Sequence, residues 1–323
     1  EKEAHSMTGQ MMPDRPSRPF RIPKKIAMIN DIAGYGRCST TVSLPIISAM
    51  QVQVCPVPTS IFSNHTGFPV HFMHDCTDIL PEYLEKWREL ELTFNGIYCG
   101  FLGSVTQIGI VKDFLASQTG NAGHSRISAD GNRPIVILDP VMGDHGRAYR
   151  TITPQHCEEM KELLTMADII TPNITEACLL TGAAYRESGW TAEELKELTK
   201  KLHSMGPEKI VITGMQDGDD FVNFISVKKE SEELPDCSNS SCRDCFNGYC
   251  CGCCRMHIAG ESRPGTGDIF ASVIAADAVN SVDFFQSVEK AAGFVRICTQ
   301  ASSELDIPRE QGVCFENFLY MLV

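Results

Sequence analysis

From Lys24 onward, short apolar runs alternate with stretches in which apolar residues recur at helical spacing. The runs at 26–29, 52–57, 96–99, 135–138, 168–170 and 209–212 have strand length. Between and after them, 40–50, 79–90, 106–115, 158–166, 176–180, 192–205, 269–279 and 282–301 read as helices. Apolar strands separated by helices imply an α/β fold with a mostly parallel central sheet covered on both faces. Such sheets bind ligands beyond the carboxyl ends of their strands, so the chemistry is expected in the turns that follow these runs. Residues 228–264 break the rhythm with Ser, Asp, Asn and Cys, and read as an insertion at about 230–262. Residues 1–22 are polar and without period, and read as a tail. The domain is expected to occupy 23–305, followed by a C-terminal extension over 306–323. No repeat of 20 to 50 residues is present.

Composition narrows the function classes. The chain has 323 residues, 43% of them hydrophobic and 21% charged, near the norm for a folded globular protein. A net charge of −13 opposes phosphate backbones and anionic membranes, so neither nucleic acid nor membrane is an expected partner. No apolar run reaches the roughly 18 residues of a membrane span, and the first twenty residues hold no apolar core of a signal peptide. A cytoplasmic setting is therefore expected. Of the 15 cysteines, eight are scattered singly, the pattern of reduced core residues, and seven crowd between Cys237 and Cys254.

The Walker loop GxxxxGK[ST] is absent. Gly34-Tyr35-Gly36-Arg37-Cys38-Ser39 begins like a dinucleotide fingerprint, but Ser39 stands where the third glycine belongs and no well-placed acid follows about 20 residues later. Gly265-Thr266-Gly267-Asp268 is more informative. Two glycines at a helix entrance let backbone amides approach an anion, the helix dipole favours negative charge there, and a neighbouring aspartate can take a hydroxyl proton. Asp139 closes another strand before Pro140, and Thr171-Pro172-Asn173 closes a third, with Glu176 three residues on. Asn173 and Glu176 share one face of a first helical turn. They could hold a hydrated Mg²⁺ through water, or form an ordinary capping box.

Four segments in order, Phe62-Ser63-Asn64-His65-Thr66-Gly67, Asp139-Pro140-Val141-Met142-Gly143-Asp144, Thr171-Pro172-Asn173 through Glu176, and Gly265-Thr266-Gly267-Asp268, resemble the signatures of the ribokinase-like superfamily, and within it the pyridoxal and pyridoxamine kinases. That resemblance covers about 24–301. It implies a three-layer α/β/α kinase, commonly dimeric, that transfers phosphate from ATP with Mg²⁺ to the 5'-hydroxymethyl group of a B6 vitamer. Carried over by position, Asp268 is the base, and the amides of Gly265, Thr266 and Gly267 form the anion hole. Asp139, Thr171, Asn173, Glu176 and Thr213 hold nucleotide phosphates, with Asp139 and Glu176 on the metal. Asp31, Ser63, His65 and Thr66 line the vitamer pocket, with 98–101 nearby, although a histidine bonding locally in its turn serves equally well for His65. Asp31 departs from the better-known pyridoxal kinases, which carry serine there, and the 30–37 stretch is similar to the bacterial pyridoxamine kinase group. Hydroxymethylpyrimidine and phosphomethylpyrimidine kinases share the last signature and form the alternative enzyme reading. A kinase-like, metal-dependent regulator is the non-enzymatic one.

Cys242-x2-Cys245 and Cys251-x2-Cys254 are two CxxC pairs, and four thiolates suit Zn²⁺, though the spacer of 246–250 is shorter than the roughly 15–20 residues usual for such modules. Because the catalytic signatures are complete without this cluster, excision of 232–258 is expected to leave kcat within about tenfold.

Overall fold

In the computed structural model, which describes residues 22–120, 131–228, 244–246 and 248–323, the predicted alternation becomes one sheet. Its first five strands are β1 (Lys24–Ala33), β2 (Val52–Phe62), β3 (Met73–Asp75), β4 (Gly96–Cys99) and β5 (Ile135–Leu138). A short ribbon of β6 (Gly143–Asp144) and β7 (Arg147–Ala148) stands apart from it. The sheet continues with β8 (Ile169–Ile170), β9 (Lys209–Asp217), β10 (Asp220–Lys228), β11 (Asp244–Phe246) and β12 (Tyr249–His257). The order is β11-β12-β10-β9-β8-β5-β4-β1-β2-β3. The centre, from β2 through β9, is parallel, and the flanking pairs are antiparallel.

The helices are α1 (Thr40–Ala49), α2 (Leu80–Glu89), α3 (Val105–Thr119), α4 (Pro154–Leu164), α5 (Ile174–Thr181), α6 (Ala192–His203), α7 (Thr266–Val279) and α8 (Phe284–Glu304). Successive strand side chains point to opposite faces, so each central strand feeds two cores. Ala27, Ile29, Ile97, Val136, Leu138 and Ile210 meet α2 to α6, whereas Ile26, Met28, Tyr98, Ile137 and Val211 meet α1, α7 and α8. The fold is thus the three-layer α/β/α arrangement of the ribokinase-like kinases.

The break expected at 228–264 is corrected in part. β10 and β12 pair antiparallel over nine residues, from Asp220 opposite His257 to Lys228 opposite Tyr249, and extend the main sheet. Cys251 packs into one core, and Cys250 and Cys254 into the other. A separation of three along a strand puts Cys251 and Cys254 on opposite faces, so this CxxC pair cannot close on one ion. Cys237 and Cys242 lie outside the described residues, as does the expected tail apart from Ile22. Among the described residues, no three His, Cys, Asp or Glu side chains converge as a metal cage, and no helix is long and apolar enough to cross a membrane.

After α8 the chain makes two 3₁₀ turns, Arg309–Gln311 and Glu316–Leu322, and buries Val313, Phe315 and Leu322 in the core of α1, α7 and α8. The C-terminal stretch is therefore packed structure.

Candidate active site

The site gathers where β1, β5 and β8 end opposite the start of α7. Near the end of β1 come Asn30 and Asp31, polar but buried. The Asn30 amide oxygen accepts the backbone N–H of Asp31 at 3.0 Å and of Phe101 at 2.9 Å. Gly100 makes room for it, since a Cβ there would lie 2.7 Å from the Asn30 amide carbon. Tyr98 is fully buried on the α1 and α7 face, within electrostatic reach of Asp139 and Asp268, while Phe101 is partly exposed.

Asp268 lies in the first turn of α7. Gly265 precedes that helix at φ 85°, a left-handed conformation, and a Cβ there would collide with the Arg37 carbonyl. No side chain caps the helix, and a Cβ at Gly267 would meet nothing within 4 Å. No side-chain cap thus competes for the first-turn amides, and the helix dipole lies behind them. Desolvation pushes the Asp268 carboxyl up to about 6, against the Ser39 backbone N–H and the Asn30 side chain, which favour its ionised form.

Ser39 is the unexpected member. It caps α1 at φ 57°, ψ −140°, a conformation that side chains avoid. This twist lets one residue serve two carboxylates, its backbone N–H facing Asp268 and its hydroxyl Asp31. Burial lifts Asp31 to about 7, and the Asp268 charge adds to that rise.

Asp139 follows β5, its N–H bound to the Cys99 carbonyl at 2.8 Å, and accepts the Thr171 hydroxyl at 3.0 Å. Desolvation first and the Asp268 charge second push it up to about 8. Asn173 and Glu176 form the capping box in full. Asn173 Oδ1 accepts the Glu176 N–H at 2.9 Å, and Glu176 Oε2 accepts the Asn173 N–H at 2.8 Å. Glu176 Oε1 accepts the Met142 N–H at 3.1 Å, and Asn173 Nδ2 donates to the Gly143 carbonyl at 2.8 Å. Burial, then the Asp139 charge, raise the Glu176 carboxyl well above its usual range. Thr213 joins this group through a parallel bridge to Asn173.

Asp31, Asp139, Asp268 and Glu176 are thus coupled around one cleft, Asp268 acting on Asp31 and Asp139, and Asp139 on Glu176. These acids do not converge three at a time on one point, but a single carboxylate such as Asp139, with the Thr171 hydroxyl beside it, suits a hard divalent cation that completes its shell with water. Because Glu176 spends both oxygens on backbone amides, a cation there would be met chiefly by Asp139 and by water.

The second loop, between β2 and β3, holds Ser63, His65 and Thr66. It abuts the β1–α1 turn through the Gly34 N–H to the Phe62 carbonyl at 2.9 Å and through Tyr35 against Phe68, 5.4 Å between ring centres. Ser63 donates to Asn64 Oδ1 at 2.7 Å and accepts the Phe72 N–H at 2.8 Å, and Thr66 is exposed. His65 Nδ1 accepts the Gly67 N–H at 3.1 Å, which leaves Nε2 to donate to the Glu310 carbonyl at 2.6 Å. With both nitrogens bound to backbone, His65 builds the loop, and only its ring is left for a ligand.

That last bond belongs to a strap over 307–316. Arg37 N–H donates to the Gln311 carbonyl at 3.2 Å and its guanidinium pairs with Glu316 at 2.7 Å. Buried Arg263 donates to the Ile307 carbonyl at 2.7 Å, and Arg309 to the Ser262 carbonyl at 2.8 Å. Three loops around the cleft are held by one segment.

Asn30, Ser39 and the strap escape sequence reasoning. A polar pair at the end of an apolar strand hints at Asn30, but nothing in the sequence marks a serine with positive φ.

Residues 48–312 match the family model described as phosphomethylpyrimidine kinase. A pyridoxal kinase of Bos taurus is 30% identical over 263 residues, covering 76% of this chain and 73% of the relative. A Bacteroides thetaiotaomicron protein crystallised with pyridoxal superposes with a TM-score of 0.78 at 33% identity, over 93% of this chain and 96% of that one. Pyridoxal kinase from Lactobacillus plantarum, at 24% identity, shares the fold with a TM-score of 0.77 over 93% and 96%. With most of its length matched by family model and relative alike, the chain belongs to the phosphomethylpyrimidine kinase family of ribokinase-like fold, with pyridoxal kinases among its relatives.

Proposed function

We propose that the protein is an ATP-dependent kinase that phosphorylates the 5'-hydroxymethyl group of a B6 vitamer. The observation that carries this reading is Asp268, poised near pKa 6 beside the uncapped start of α7. At neutral pH it is ionised and accepts the hydroxyl proton as the oxygen attacks. The amides of Gly265, Thr266 and Gly267 serve the charge that develops on the transferring phosphoryl group. Asp139 and Thr171 would hold Mg²⁺, directly or through water, and the ion would neutralise phosphate charge. Asn173 and Glu176 fix the backbone around that position, and Thr213 stands beside them for the nucleotide phosphates. Asp31 faces the acceptor and is suited to a pyridinium or amine, with the Ser63 to Thr66 loop as the wall of its pocket. The reading carries with it a homodimer in the cytoplasm, tested by light scattering and by fractionation.

One turnover assay with ATP, Mg²⁺ and either pyridoxal, pyridoxamine or hydroxymethylpyrimidine tests the substrate. Phosphorylation of the pyrimidine alone would move the enzyme to thiamin synthesis, and vitamer binding without turnover would make it a regulator. Asp268→Asn is expected to lower kcat by about 10² to 10⁴ while ATP binding survives. A variant within a fewfold of wild type would remove Asp268 from the chemistry.

A further inference from the structure

Asn30 is 2% exposed, and its Nδ2 makes no hydrogen bond of full geometry, although the side chain lies close enough to Asp268 to favour the ionised carboxylate. A buried donor without a partner is rare and calls for an explanation. The amide cannot turn to hide it, because Oδ1 is fixed by two backbone donors, the N–H groups of Asp31 and Phe101. Gly100 leaves the space in which the amide lies, so the backbone of two strands is arranged around this one side chain. The Asn30 side chain and the Ser39 backbone N–H both favour the ionised Asp268 carboxylate, which brings the free donor of Asn30 near it.

We infer that Asn30 is a positioning residue for the base: its amide N–H and the Ser39 N–H steady the Asp268 carboxylate from the protein side and leave an oxygen turned toward the acceptor hydroxyl. This rests on the kinase reading and gives a role to a residue outside the four ordered signatures quoted above. A carboxylate with donors on one side only is held in one rotation, whereas a free carboxylate swings, and misplacement by about 1 Å can cost 10²-fold in rate.

Two variants separate this role from a structural one. Asn30→Asp keeps the oxygen that the Asp31 and Phe101 amides need but puts a second oxygen toward Asp268. Asn30→Ala removes donor and acceptor without adding charge. Both are assayed with wild type for phosphorylation of pyridoxal and pyridoxamine, at a temperature where circular dichroism shows each folded. The expected result is a fall in kcat of about 10- to 10²-fold in both variants with KM for vitamer and ATP within threefold, and a lowered melting temperature for Asn30→Ala alone. If Asn30→Ala keeps wild-type kcat, or if either variant changes KM alone, the inference is overturned and Asn30 merely ties two backbone amides. Absence of wild-type turnover would instead sink the kinase reading, so the two failures are told apart.

Discussion

At the scale of single residues, the site is a problem of negative charge. Asp31 is lifted to about 7 by burial, with Asp268 adding to the rise and the Ser39 hydroxyl opposing it. A cationic acceptor, a protonated amine or pyridinium, would hold Asp31 ionised and gain a charge-assisted bond that a serine cannot offer. Asp31→Ser is therefore expected to lower the ratio of kcat/KM for pyridoxamine over pyridoxal by the equivalent of about 1 to 2 kcal/mol. An unchanged ratio would leave Asp31 a purely structural acid. Much of this was legible beforehand: Asp139, Thr171 and Asp268 stand at strand ends or at a glycine-marked helix start, where turn chemistry leaves a trace. Glu176 was legible in position but divided in role, because a capping box and a metal-phosphate site use the same two residue types at the same spacing. His65 was divided for a similar reason, and the bond to Glu310 that ties its ring to the 307–316 segment spans 245 positions, beyond any local signal.

At the scale of elements, β4 and β5 coincide with the runs that predicted them, since four consecutive buried residues in one and three in the other leave little choice. β12 was hidden by its composition. Tyr249-Cys250-Cys251-Gly252-Cys253-Cys254 shows no alternation because both faces are apolar, and crowded cysteines suggest metal chemistry before they suggest a strand. Its place beside β10 reverses the expectation for excision. Removing 249–257 strips nine ladder pairs and uncovers Phe224 and Ile225 on opposite faces of the sheet, so the product is expected to lack a cooperative melting transition and all turnover. Near-wild-type kcat in a soluble excised protein would return this strand to the periphery.

At the scale of the whole molecule, the buried acids link stability to pH. Between pH 6.5 and 8.5 the folded protein, with Asp31 near 7 and Asp139 near 8, holds protons that the unfolded chain, with ordinary carboxyls, has already lost. Stability contributed by these protons is complete at low pH and declines as pH rises through 7 and 8. Burial holds the imidazoles of His156 and His203 below their usual range. The ligand-free protein is expected to lose on the order of 2 kcal/mol, a few degrees in Tm, across the window, and Mg²⁺ with nucleotide should flatten the slope by favouring the ionised acids. Melting curves at closely spaced pH, with and without Mg²⁺ and ADP, check both; a Tm that rises with pH in the ligand-free protein contradicts the assignment. The strap gives the molecule an order in time as well as in space. Domains form while the ribosome adds roughly 5–20 residues per second, and the segment over 307–316 is made after every strand and helix that it ties together. A nascent kinase therefore acquires its sheet before the segment that ties together the three loops of its cleft through His65, Arg37 and Arg263.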